Sequence, residues 1–512
     1  MKSVLSVLVV SGVALAQSPG TFTATASMGT ARYFDTATLL QDGRVLIAGG
    51  QSDSQPPAPL STTEIYDPLA RTFTPGPNMT VGRSGHTATL LPDGGVLIAG
   101  GDWSETSVMG IGAGTAEIYD PSAGAFTATG SLSIARSGPN ATLLANGKVL
   151  ITGGVTGEND AGYLIGDPEL YDPSTGKFSA AGTYAGSLAG LNTNEFGFAS
   201  SSTLLPDGTV LFATVPAAQV YDPVSELFSL RGALSVMYQS TGTVFQTDYI
   251  DGQSATLLLN GRVLVAGGEQ EDTGRFASAQ LYNPVSGVFV FTGSMTAARN
   301  NHTAALFPDG TVLVTGGESQ TCSDDGCWFS GTTTSAELYD PAQGAFASAG
   351  DMTASRAGHT ATLLNNGDVL LAGGYAYGGI GIYQGATASA ELYHPASPSA
   401  APTLFSLSGD GKGQGAIWHA TTGQLVSPQS PATAGDVLSM YVSGLASGGL
   451  IPPQVDVGGQ AADIQFFGDA PGYPGYSQVN FRMPGGIAPG SAVPVGLIYL
   501  GRASNQVTVA VQ

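Results

Sequence analysis

Charge is scarce in this sequence, and positive charge scarcer still. Only 11% of the 512 residues are charged, and 16 basic residues stand against 38 acidic ones, for a formal net charge of −22. A surface so poor in cations repels phosphate backbones and anionic lipid, which excludes nucleic acid as a partner. No stretch of about twenty unbroken apolar residues occurs, so no membrane span is expected. Long amphipathic helical patterns are missing as well. Cysteine is limited to Cys322 and Cys327. They share one loop, and no second pair of zinc ligands stands nearby, so a local disulfide is the expectation.

What is present begins with Lys2 and an apolar run from Val4 to Leu15 that closes on Ala14-Leu15-Ala16. This pattern predicts a signal peptide over 1–16, hence a secreted protein, extracellular or at the cell surface. The 74 glycines, with threonine and alternating apolar residues, point to many short strands and tight turns.

A repeat organises most of the chain. The segment from Thr87 to Gly101 recurs seven times with drift, turning at Asp42-Gly43, Asp93-Gly94, Asn146-Gly147, Asp207-Gly208, Asn260-Gly261, Asp309-Gly310 and Asn366-Gly367. Such dipeptides between apolar runs predict hairpins with two-residue turns. A third strand then ends on a tyrosine, at Tyr66, Tyr119, Tyr171, Tyr221, Tyr282, Tyr339 and Tyr393. A fourth is marked in six copies by a phenylalanine seven residues on, at Phe73, Phe126, Phe178, Phe228, Phe289 and Phe346. The seventh copy lacks this phenylalanine, while Phe22 has the fourth-strand motif with no hairpin before it. A ring closed by the N-terminal strand accounts for both and removes two sheet edges.

The double glycine, the tyrosine and the following aromatic together resemble the kelch repeat. The fold expected is all-β: a seven-bladed kelch-type β-propeller over 17–396, a linker over 397–404 and an immunoglobulin-like β-sandwich over 405–512 of the kind carried by secreted bacterial proteins. Phenylalanine replaces the family's usual tryptophan, and Thr214-Val215 replaces the double glycine in the fourth blade, which should be the least regular. Galactose-oxidase-like copper enzymes share such propellers. Their radical cofactor joins a cysteine to a tyrosine, and the cysteines here are better used on each other.

Two repeat positions vary together. Arginine precedes the first strand at Arg32, Arg83, Arg136, Arg299 and Arg356. An acid precedes the tyrosine at Glu64, Glu117, Glu169, Glu337 and Glu391. Blades four and five lose the arginine, and there the acid becomes Gln219 and Gln280. A buried charge is retained only when compensated, so each arginine is expected to pair with the glutamate of its own blade. His86, His302 and His359 share another repeat position with Asp35 and form a weak metal candidate, against the simpler reading of an architectural histidine.

No nucleophile with a positioned base stands out. The favoured expectation is therefore a secreted noncatalytic binding or scaffolding protein for an extracellular carbohydrate or protein. It would need no cofactor, with calcium the one ion its carboxylates would suit. The alternative is an extracellular carbohydrate-active or oxidative enzyme whose site is built from loops of several blades. Either way, loop lengths select a face. The hairpin side is uniform, whereas on the other side the insertions into blades four and five and the loops after the double glycines vary. Expected ligand contacts are Trp103, Tyr184, Tyr238, Asp248, Tyr249 and Trp328. Acidic neighbours on the same face include Glu269 and Glu318.

Overall fold

The computed structural model describes residues 20–512 except 54–57, 102–113, 157–162, 165–167, 186–200, 214–216, 238–243, 246–249, 271–273, 324–325, 379–381, 398–400, 472 and 474. All regular structure among them is β, and none of them forms a helix long and apolar enough to cross a membrane.

Seven four-stranded antiparallel sheets fill residues 21 to 394. In the second of these blades the strands are Thr87–Leu90, Val96–Ala99, Ala116–Asp120 and Ala125–Ala128. Inner strands of neighbouring blades touch in cyclic order, the first also meeting the seventh. Thr21–Ala24 lies beside Ala390–His394, with Phe22 opposite Tyr393 as Phe73 is opposite Tyr66. The tyrosine and phenylalanine rings of the seven sheets lie 4.7 to 5.0 Å apart. Each second strand is wholly buried, as Val45–Ala48 and Val96–Ala99 illustrate, because it is sandwiched between the sheets on either side.

The hairpin turns differ from expectation. Only the glycine takes a positive φ, from 77 to 92° across the seven turns. In blade one the Gly43 amide bonds the Leu40 carbonyl at 2.9 Å and the Leu40 amide bonds the Arg44 carbonyl at 2.7 Å. This is a three-residue loop, a type I turn followed by a glycine bulge. The preceding Asp or Asn is selected for its side chain, since Asp42 Oδ1 accepts the Arg44 amide at 3.0 Å and the other six turns repeat that bond.

The double glycine has its cause in close backbone approach, the first glycine meeting the next blade and the second its own. A Cβ on Gly316 would lie 2.4 Å from the Arg356 carbonyl and 2.9 Å from the His359 ring, and one on Gly317 would lie 2.6 Å from the Asn300 carbonyl. The segment that carries the arginine and histidine can therefore approach only against bare backbone.

From Thr403 onward a second unit forms. Its strands Val437–Ser443, Ser477–Arg482 and the second half of Gln460–Asp469 make one layer. Gln454–Val457, Gly490–Tyr499 and Val507–Val511 make the other, joined through the first half of Gln460–Asp469. Leu438, Met440, Val479, Phe481, Val495 and Val509 fill the space between. This unit stands against the hairpin side of the ring, where the Leu450 amide bonds the Leu259 carbonyl at 2.7 Å.

Candidate functional site

Five buried ion pairs frame the loop-bearing side of the ring. Arg32 meets Glu64 at 3.1 Å, Arg83 meets Glu117 at 3.2 Å, Arg136 meets Glu169 at 2.8 Å, Arg299 meets Glu337 at 2.8 Å and Arg356 meets Glu391 at 2.9 Å. Each glutamate does two things. One oxygen of Glu117 takes the guanidinium, and the other accepts the Thr80 amide at 2.8 Å, which ties down the loop entering the blade. Arg83 in turn donates to the Gly100 carbonyl at 2.8 Å and the Thr115 carbonyl at 2.9 Å. These pairs are architecture. They fix the chain on both sides of the double glycine and so hold the neighbouring side chains in place.

The repeat histidines are architecture too. His86 Nε2 bonds Thr36 at 2.9 Å, His302 bonds Ser254 at 2.9 Å and His359 bonds Thr303 at 3.0 Å, each reaching a hydroxyl of the preceding blade. Burial pushes His86 and His302 down to about 3 and His359 well below its ordinary range, so the rings are neutral. Asp35 fills the same position in blade one, and burial raises its carboxyl to about 7 against the opposing pull of Arg32. The structure gives each of these four residues to a separate blade and does not gather them.

Chemistry concentrates at positions immediately beside the invariant ones. The residue after the double glycine pairs its backbone with the residue just after the arginine position, as Gln51 does with Tyr33, Glu318 with Asn300 and Tyr375 with Ala357, and Glu269 pairs in the same way with Asp251. Closer to the ring axis the chain forms a rim of backbone bonds, Gly85 to Phe34, Phe34 to Gly358, Gly358 to Asn301 and Asn301 to Gly252, at 2.9 to 3.0 Å. Phe34 and Asn301 hold positive φ of 51° there without being glycine, a strain of the kind that clusters at functional sites.

Five of these residues converge with Arg275. Its guanidinium Nη2 contacts Glu318 and lies 3.2 Å from Glu269, its Nε donates to Asn300 at 2.9 Å, and its charge sits 4.7 Å from the centre of the Phe329 ring. The Tyr375 hydroxyl donates to the other oxygen of Glu318 at 2.7 Å, and Asn301 donates to that hydroxyl at 3.3 Å. Burial, with the Glu318 charge beside it, holds Tyr375 well above the usual phenol range, so it remains a donor. Glu269 is raised chiefly by burial, Arg275 opposing and Glu318 adding to the shift. From this group an aromatic shelf runs outward. Tyr33 and Phe34 pack on Tyr375 at 5.3 and 5.8 Å, Tyr377 follows at 5.7 Å, and Tyr383 lies 5.2 Å beyond and donates to Asp53 at 2.6 Å.

Of the expected ligand contacts, Trp103, Tyr238, Asp248 and Tyr249 lie outside the described residues, as does the side chain of Trp328. Tyr184 is described and packs inward, 4.6 Å from Phe228 and 6.1 Å from Phe212, as part of blade four's core. Cys322 and Cys327 are register partners across one hairpin, with side chains outside the description. Sequence reasoning named Glu269 and Glu318 as acidic neighbours on this face and passed over Arg275, Asn300 and Tyr375. The available signal was that the residue after each double glycine changes from blade to blade while the glycines before it do not.

Comparison with known proteins follows from this geometry. A kelch motif model matches residues 32–80. Two galactose oxidases of Gibberella zeae are 25% identical over 328 residues, 63% of this chain and 39% of theirs. A fungal alcohol oxidase of the AA5 family, solved in complex with copper, superposes with a TM-score of 0.57 over 97% of this chain and 100% of its own, at 16% identity. The ring is a kelch, galactose-oxidase-like β-propeller. These relatives overturn two expectations. Both kinds are oxidases, which contradicts the noncatalytic binding or scaffolding reading. The copper in the alcohol oxidase contradicts the expectation of no cofactor or of calcium. The described side chains of this propeller do not themselves make a copper site. Among them no three His, Cys, Asp or Glu residues are grouped as metal ligands, and the repeat histidines are spent on hydroxyls one blade apart.

Proposed function

We propose that this chain is an extracellular oxidative enzyme acting on a hydroxyl-bearing substrate, an alcohol or a carbohydrate, at the Glu318–Tyr375–Arg275–Glu269 cluster of a closed seven-bladed ring with an immunoglobulin-like sandwich behind it. The oxidase relatives favour the reaction class, and the matched stretch spans only 39% of the galactose oxidases' length. The observation that carries the location is the bond from the Tyr375 hydroxyl to a carboxylate that also holds Arg275.

Oxidation of an alcohol to its carbonyl removes two electrons and two protons, which dioxygen as the proposed acceptor would carry away as hydrogen peroxide. The described residues supply what the protons and hydroxyls need. Arg275 would donate to a substrate oxygen through Nη1, Tyr375 holds Glu318 in place, and Glu318 and Glu269 would accept from substrate hydroxyls and offer a place for the proton that leaves. Glu269, raised by burial, is the better proton acceptor for it. The shelf from Phe34 to Tyr383 offers flat faces for the carbon skeleton of a sugar or an aryl alcohol.

The test is dioxygen uptake and carbonyl formation by the purified protein over a panel of primary alcohols and sugars, before and after copper loading, with reducing-end release from glycosides measured in parallel. Oxidation that falls in Glu318→Gln supports the reading. Glycoside cleavage without oxidation would transfer the same carboxylate pair to hydrolysis. A folded protein inactive in every assay would overturn the proposal.

A further inference from the structure

A second site lies on the opposite side of the ring, between the inner strands and the C-terminal unit. There the axial channel widens into a cavity of about 980 Å³, within the range of small-molecule pockets. The ring contributes Leu39, Leu90, Leu143 and Leu204, and the C-terminal unit contributes Val455 and Phe467, so the walls are mainly aliphatic.

The charge on those walls is of one sign. Asp207, Asp456 and Asp463 line the cavity, and among the described residues no Lys, Arg or His does. Asp456 is the unusual member. Its Oδ1 accepts the Gly459 amide at 3.3 Å, while its Oδ2 is buried and has no hydrogen-bond partner. A carboxylate oxygen withdrawn from water without a partner is costly. The hairpin that carries it rests on a turn of blade two, where Gly459 approaches Asp93, so a second acid stands close by in place of a cation.

We infer that this cavity binds an apolar molecule with a single cationic amine, the hydrocarbon filling the mouth of the channel and the ammonium group pairing with Asp456. Such a ligand supplies what the site lacks, a positive charge among three carboxylates, and it buries its chain against the leucines of the wall. A neutral alcohol of the same length would keep the hydrocarbon contact and lose the charge-assisted bond. A carboxylate would meet repulsion. Burial, with Asp93 adding to it, raises Asp456 to about 7, and a bound cation would draw it back toward the ionised form. The inference stands on different residues from the proposed reaction and on the other side of the ring, so either can fail alone.

The experiment is calorimetric titration of the full-length protein at about pH 8 with decylamine, decanol and decanoate. Decylamine should bind at least about tenfold more tightly than decanol, and decanoate should not bind. Asp456→Asn should erase the preference for the amine while leaving decanol affinity unchanged, and Leu143→Trp, which narrows the cavity, should weaken binding of both. Equal affinity for all three probes, binding of none of them, or a preference that survives in Asp456→Asn would each overturn the inference. If Leu143→Trp does not fold, Asp456→Asn decides.

Discussion

Blades one, two, three, six and seven carry a buried arginine–glutamate pair that blades four and five lack, and that difference explains what the exchanged residues do. In the five regular blades a glutamate holds an arginine with one oxygen and the entering loop with the other. In blade four Gln219 keeps only the second task, accepting the Ala185 amide at 2.9 Å. In blade five Gln280 bonds the Ser235 carbonyl, and Ile250 occupies the arginine's place, buried. The loop anchor is therefore the constant requirement. The charge is present only where an arginine compensates it, and a neutral amide serves where none does.

The comparison can be broken most severely by stranding one charge. Arg83→Leu should cost about 3 to 5 kcal/mol, because Glu117 stays buried without its partner. Adding Glu117→Gln should recover most of that loss by recreating the blade-four arrangement. Urea denaturation of the single and double variants measures both, and equal stability of the two would show that the compensation argument is wrong.

A middle-sized effect should separate Asp35 from its histidine counterparts. The folded state holds the Asp35 proton up to about 7, well above the ordinary aspartate value of 3.8. The unfolded chain releases that proton first, so stability is lost as pH rises through this window. The buried histidines act in reverse. With folded values near 3, they cost stability as pH falls below the ordinary value of 6.5. Asp35→Asn should accordingly stabilise the protein by about 2 kcal/mol at pH values above about 7 and make little difference near pH 4. Thermal melts across that range would expose the opposite trend if the assignment were wrong.

The smallest effect concerns the repeat tyrosines. Tyr171 shares a hydrogen bond with Thr129 at 2.8 Å, whereas the Tyr221 hydroxyl of blade four is buried with no partner. Tyr171→Phe should cost about 1 kcal/mol, and Tyr221→Phe should be neutral or stabilising. A reversed order in their melting temperatures would break the contrast.

These comparisons also show where the sequence could be read and where it could not. Turns, tyrosines and phenylalanines recur in register, so their strands could be placed along the chain. Arg83 and Glu117 could be matched because Gln219 and Gln280 appear in the same blades that lose the arginine. The turn geometry was misjudged because Asp-Gly suits both a two-residue turn and a bulged one, and what distinguishes them is that Gly43 alone takes a positive φ and the Leu40 amide donates to the Arg44 carbonyl. The cluster on the loop face was half visible. Glu269 and Glu318 stand out as acids, but Arg275 faces Glu269 across one hairpin while Glu318 and Tyr375 come from the loops of the next two blades, and nothing periodic in the chain announces that they meet. The function was misjudged for the same reason: a site assembled from single departures in several blades leaves no motif.

The most direct test of the central claim is turnover by Glu318→Gln beside its melting temperature, using whichever hydroxyl substrate the wild type oxidises fastest. The exchange keeps the side chain's size and removes the charge that Tyr375 and Arg275 both address. A loss of at least about a hundredfold in kcat with a nearly unchanged melting temperature is the predicted result, and undiminished turnover in a folded variant would contradict the account.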